Sequence, residues 1–126
     1  MTPDAYVRIT LIATEDGGRR RPLLNMTRPQ YKLTVEGKPY QTSTSHTFID
    51  ADGVWPGGSA FAHVAFITPE AYPHSMAPGD VFDVCEGARV TGHSEILDVY
   101  NSLLLRRPRD NTSAARPNKV VTQEAK

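Results

Sequence analysis

The amino-acid sequence predicts an all-β domain, a small closed barrel or sandwich, and three observations carry that reading. Apolar residues alternate with polar ones at a period of two in short segments. Turn-forming clusters rich in glycine, proline, aspartate and serine separate those segments at short intervals. No segment has the length and amphipathic repeat of a long helix.

The first strand is expected from Tyr6 to Thr14, where Val7, Ile9 and Leu11 alternate with Arg8 and Thr10. Glu15-Asp16-Gly17-Gly18 ends it, because adjacent glycines accept positive φ, and Pro22 resists a return to regular pairing, so a structured loop follows. Gln30 to Val35 is the second strand. Glu36-Gly37-Lys38 then makes a hairpin-like turn into a third strand from Tyr40 to Ile49, rich in threonine and serine. Asp50 to Ser59, around Trp55, has the Gly and Pro content of an irregular connection. Ala60 to Thr68 resumes as a strand, Pro69, Pro73, Pro78 and Gly79 break the chain, and Val81 to Cys85 and Arg89 to Tyr100 complete six strands.

Composition bounds the rest. A chain of 126 residues has room for one compact domain, which excludes a two-domain enzyme. Fourteen basic residues balance fourteen acidic ones, so no bulk cationic field exists and any nucleic-acid site is local. Cys85 is the single cysteine, which rules out an intrachain disulfide and a four-cysteine zinc site and favours a reducing compartment. Met1 to Tyr6 lacks the pattern of a signal peptide and the apolar run from Ala60 to Thr68 is too short to span a bilayer, so a soluble, cytoplasmic protein with no membrane partner is expected. Residues 1–101 form the expected folded domain. Residues 102–126 are expected to be a flexible basic tail, since Leu104 to Lys126 holds six basic and two acidic residues with almost no aromatics. It reads either as a solvated extension or as a basic contact arm.

Glu15-Asp16-Gly17-Gly18-Arg19, then Pro22, then Arg28-Pro29-Gln30-Tyr31 follow one another in the order found in the carboxy-terminal, third domain of the elongation factor Tu family, which this chain resembles. Val54-Trp55-Pro56-Gly57-Gly58 resembles the family's Met-Pro-Gly-Asp turn, and Val64 to Pro69 its apolar strand ending in proline. Phe82-Asp83-Val84-Cys85-Glu86-Gly87-Ala88-Arg89-Val90-Thr91-Gly92 resembles the family's Phe-x-Ile-Arg-Glu-Gly-Gly-Arg-Thr-Val-Gly. The likeness covers about residues 4–100 and implies a six-stranded antiparallel closed β-barrel, standing alone and of bacterial type. Departures fall at Met26-Thr27, at Ala88 and at His93-Ser94-Glu95, where a glutamate would repel a nearby phosphate.

No G-x-x-x-x-G-K-[ST] segment is present, so GTP binding by this chain is not expected. The resemblance implies a non-catalytic, translation-factor-like module without a cofactor. Its implied partners are tRNA or other structured RNA, or a translation GTPase or its exchange factor. Carried over by position, the contact residues are Arg19, Arg28, Gln30, Glu86, Gly87 and Arg89. An arginine fork can hold a phosphate through two hydrogen bonds, and a glycine lets backbone N–H groups approach the ribose-phosphate chain. Arg28 could instead close a loop by pairing with Glu86, and Gly87 could be a turn residue. Arg20 and Arg21 extend the cluster of Arg19 but lie outside the family motif.

Other functional classes have weaker footing. His46, His63, His74 and His93 lack HxH or HxxxH spacing, so no metal site is expected. His63 reads as an outward or hydrogen-bonded strand residue, Cys85 as an inert buried thiol, and Asp80 and Asp83 as turn and edge residues. A protein-interaction module with no RNA binding is the alternative function. A small enzyme using His63, His93 or Cys85 is the second alternative.

Overall fold

A computed structural model describes residues 2–25, 27–49 and 51–106. The chain forms an all-β, closed six-stranded antiparallel barrel. Its strands are β1 (Ala5–Leu11), β3 (Gln30–Val35), β4 (Lys38–Phe48), β6 (Ser59–Phe66), β7 (Val81–Glu86) and β8 (Arg89–Val99), in the spatial order β1-β6-β4-β3-β7-β8. Two short strands, β2 (Leu23–Leu24) and β5 (Gly53–Val54), pair outside the barrel within segments whose composition predicts irregular connections. Thr14, expected to end the first strand, opens a single 3-10 turn over Thr14–Asp16 instead.

Alternation decides which face is buried. Ala5, Val7, Ile9 and Leu11 of β1 point into the barrel and are at most 2% exposed, while Arg8 between them faces out. Inward residues of the other strands, among them Tyr31, Leu33, Phe48, Val64, Phe66, Val84 and Ile96, complete the core. Each large aliphatic side chain buried this way stabilises the fold by about 1.5–3 kcal/mol. β8 carries two bulges: Thr91 lies unmatched between the Val84–Gly92 and Cys85–Val90 pairs, and Leu97 between Tyr6–Asp98 and Val7–Ile96. Bulges bend a strand and raise its twist, which helps eleven residues curve around a small barrel.

Both mouths are plugged. At the end reached by the C-termini of β1, β4 and β7, Leu23 and Val54 of the small β2–β5 pair join the core. At the opposite end, Tyr72, Met76 and Leu104 are fully buried. The folded part therefore runs past Asn101. Leu104 is in the core, Met76 bridges Leu105, and the Arg106 guanidinium donates to both carboxylate oxygens of Asp80 at 2.9 and 3.1 Å. Residues 102–106, assigned to the tail on composition, are thus packed on the barrel; the remaining tail residues, 107–126, lie outside the described residues. Among the described residues no helix is long and apolar enough to cross a membrane.

Candidate functional site: an arginine loop clasped to the last hairpin

The loop from Ile12 to Pro22 is held at the mouth beside the β7–β8 hairpin. Gly17 sits at φ +98°, which an L side chain resists, and Gly18 packs so closely that a Cβ there would lie 1.9 Å from the Ile12 carbonyl oxygen. Those two positions explain the glycine pair. Arg89, at the start of β8, donates to the Gly17 carbonyl from Nε (3.2 Å) and Nη2 (2.9 Å) and to the Gly18 carbonyl from Nη2 (2.6 Å). Arg19 reaches the other way. Its Nη1 pairs with Glu86 at 2.5 Å, its Nε donates to the Arg21 carbonyl at 3.1 Å, and its Nη2 to the Pro22 carbonyl at 3.4 Å.

Of the six residues carried over as contacts, Arg19, Glu86 and Arg89 come together here as a clasp. Arg19 has a side chain only 19% exposed, and its donors point at protein acceptors. What the clasp presents is Arg20 and Arg21, both exposed and without a side-chain hydrogen-bond partner among the described residues. With Arg19, Glu86 and Arg89 they line an open concavity of about 210 Å³. Four guanidiniums against one carboxylate make this a local positive site on a neutral chain, although Glu15 and Asp16 stand on the turn just before it.

Gly87 is a turn residue with φ +64°, and its carbonyl accepts from Gln41 Nε2 at 2.9 Å. The same Gln41 nitrogen donates to Gln30 Oε1 at 2.8 Å, so Gln30 and Gly87 are joined through a residue that the motif comparison did not single out. Nothing in the local sequence around Gln41 signals that bridge; it follows from the β3–β4 register. Arg28 is not part of the cluster. Glu86 pairs with Arg19, and exposed Arg28 lines a separate shallow depression with Ser43, Ser45 and Ile67. Glu95 sits along the outer wall of β8, where Arg8 Nη2 donates to it at 2.9 Å.

The four histidines occupy four unrelated places. His46 is inside the barrel, His63 Nδ1 meets the Tyr100 hydroxyl at 3.2 Å, His74 Nδ1 lies 3.0 Å from the Leu105 carbonyl, and His93 pairs with Asp83 at 3.3 Å. Among the described residues, no three His, Cys, Asp or Glu side chains are grouped to hold a metal ion. Cys85 is buried in β7, and burial together with the Asp83 charge pushes its thiol pKa up, which keeps it protonated.

On the outer wall of β1 and β6, Phe61, Tyr6, His63 and Tyr100 form a row of rings with successive centroids 6.0, 5.7 and 5.7 Å apart. Phe61 and Tyr100 are about half exposed. Compared with known proteins, the chain matches no protein-family model and no curated protein, so the likeness to the third domain of elongation factor Tu rests on the motifs themselves.

Proposed function

We propose that this chain is a non-catalytic cytoplasmic module that binds structured RNA, with a tRNA-like helix as the form the motif resemblance implies, through phosphates at the arginine loop. One observation carries the reading: Arg20 and Arg21 are exposed and uncommitted on a loop that Arg19 and Arg89 hold rigid. A preorganised loop loses little entropy on binding, and guanidinium forks match phosphate oxygens. RNA helices present phosphates and 2′-hydroxyls for such contacts, whereas their base edges are poorly accessible.

The test is a fluorescence-anisotropy titration of labelled tRNA across a salt series, comparing the wild type with Arg20→Ala/Arg21→Ala and with Arg28→Ala. Each phosphate contact contributes about 0.7–0.9 to the slope of log K against log salt, so the double variant lowers the slope by about 1.5. Arg28→Ala lowers it by less than one further contact, because Arg28 lies on a different depression. Absence of wild-type binding at low salt overturns the proposal. A second reading, a protein-interaction module for a translation GTPase or its exchange factor, is favoured by the exposed aromatic row, since aromatic residues are enriched in protein interfaces. Protein capture abolished by Phe61→Ala, with no RNA binding, would select it.

A further inference from the structure

The outer wall formed by β6, β1 and the end of β8 carries a second cluster, remote in kind from the arginine loop. Tyr6 stands in register with His63 on one side and with Asp98 on the other. The bulge at Leu97 brings Asp98 to that position, since an unbroken ladder would set Leu97 opposite Tyr6. Tyr100, two residues on from Asp98, lays its ring against His63, with its hydroxyl 3.2 Å from His63 Nδ1. Burial first, and then the Asp98 carboxylate and the Tyr6 hydroxyl, raise the Tyr100 pKa, so these groups lie in one another's field. Arg8 and Glu95 pair with each other at 2.9 Å. Asp98 is exposed, accepts the Val99 backbone N–H at Oδ1, and has no cation partner among the described residues. The wall therefore presents aromatic rings and one uncommitted negative charge.

That combination is complementary to a cation, which ring faces attract through their quadrupoles and a carboxylate through its charge. The acceptors narrow the choice. Asp98 Oδ2 and the hydroxyl oxygens of Tyr6 and Tyr100 suit a cation with several N–H donors, and a guanidinium carries them in a plane that also stacks on an aromatic ring. A quaternary ammonium has no donor to give them. An RNA strand laid on the same rings would bring its phosphates towards Asp98. Phe61 continues the row 6.0 Å from Tyr6, close to the roughly 6.6 Å between alternate residues of an extended chain. We infer that this wall docks an extended segment of a partner protein in which an arginine stands two positions from an apolar side chain. The guanidinium rests on Tyr6 and Tyr100 against Asp98, and the apolar group covers Phe61. This rests on the reading of the aromatic row as a protein contact, and it is independent of RNA at the arginine loop.

An NMR amide-shift titration of the full-length protein tests this, with the peptide acetyl-Ser-Leu-Ser-Arg-Ser-amide as probe. A second peptide carries citrulline in place of arginine, which keeps the shape and removes the charge. The arginine peptide is expected to shift the amides of Tyr6, Phe61, His63, Asp98 and Tyr100 and to bind about tenfold more tightly than the citrulline peptide. Asp98→Asn weakens the arginine peptide about fivefold and leaves the citrulline peptide unchanged, while Arg20→Ala/Arg21→Ala affects neither. Equal binding of the two peptides overturns the inference, as does Asp98→Asn without effect. Shifts of the same amides by an oligouridylate but not by the peptide also overturn it, in favour of a nucleic-acid surface. If the peptide fails while Phe61→Ala still abolishes protein capture, the arginine assignment falls and the row remains a protein contact.

Discussion

Acid sensitivity of the barrel interior is where the structure makes its sharpest demand. His46 points inward from β4, is 2% exposed, and has Nε2 at 2.7 Å from the Tyr31 hydroxyl. That hydroxyl donates to Ser94 Oγ at 2.7 Å, so Nε2 carries the imidazole proton and donates to the Tyr31 oxygen. Nδ1 has no partner among the described residues, and the rings of Tyr31 and Phe48 flank the imidazole. Buried Val64 lies opposite it on β6. Burial therefore lowers the pKa from 6.5 to about 4. The unfolded chain takes up a proton at this histidine as pH falls through 6.5, and the folded chain only near 4, so stability declines with falling pH between those values and levels off below them. At 1.36 kcal/mol per pH unit, the loss reaches about 1.4 kcal/mol near pH 5.5 and about 3 kcal/mol near pH 4. Urea denaturation of the wild type and His46→Leu at neutral and acid pH separates this from carboxylate effects shared by both proteins. The leucine variant carries a pH-independent offset of about 1–3 kcal/mol from the hydrogen bond lost to Tyr31. On going to pH 4 the difference between the two proteins shifts by about 3 kcal/mol in favour of the leucine variant, which closes or reverses the offset. A gap that stays constant refutes a neutral, buried His46.

Three further outcomes follow from local geometry. Gly18→Ala forces a Cβ into the Ile12 carbonyl and is expected to cost about 3 kcal/mol or more in chemical denaturation; a loss under about 1 kcal/mol would show that the loop relaxes easily. Arg89→Lys removes the fork that grips Gly17 and Gly18, so limited proteolysis is expected to cut between Glu15 and Arg21 several-fold faster than in the wild type, and unchanged cleavage would deny Arg89 its clasp role. Cys85 is 2% exposed, so its alkylation in the native protein should occur only at the rate of opening, and rapid modification without denaturant would contradict its burial.

The strands were legible because the fold needs only a period-two pattern and turn residues to declare them. Gln30 to Val35 coincides with β3, and the other five expected strands differ from those observed by a few residues at their ends. The β2–β5 pair was not legible, since two residues per strand are too few for any alternation to register. Composition placed residues 102–106 in the tail, and only the tertiary structure reveals that Leu104 fills a barrel mouth and that Arg106 finds Asp80. At the site, Arg19, Glu86 and Arg89 could be grouped from the sequence, whereas the direction of each side chain could not. Gln41 illustrates the reason: its bond to Gly87 spans 46 positions and depends on how β4 is laid across β3.

Direction of the side chains also changes what the motif residues mean. Gly18 is a glycine because the Ile12 carbonyl leaves no room for a Cβ, and Gly17 because its φ is positive. Arg19 is spent on Glu86 and two carbonyls, and Arg89 on the carbonyls of both glycines. Each residue of the Gly-Gly-Arg and Glu-Gly-x-Arg motifs thus has a sufficient reason within the barrel, without reference to any ligand. A partner that took Arg19 or Arg89 for itself would have to break the clasp, whose hydrogen bonds lie mostly at the exposed surface and contribute about 0.5–1.5 kcal/mol each. Recognition chemistry falls more cheaply on the side chains between the motif positions, Arg20 and Arg21, which the clasp displays and does not use. Substitutions there should alter binding while sparing stability, and substitutions at Arg19, Glu86 or Arg89 should alter both, because they act on binding through the loop.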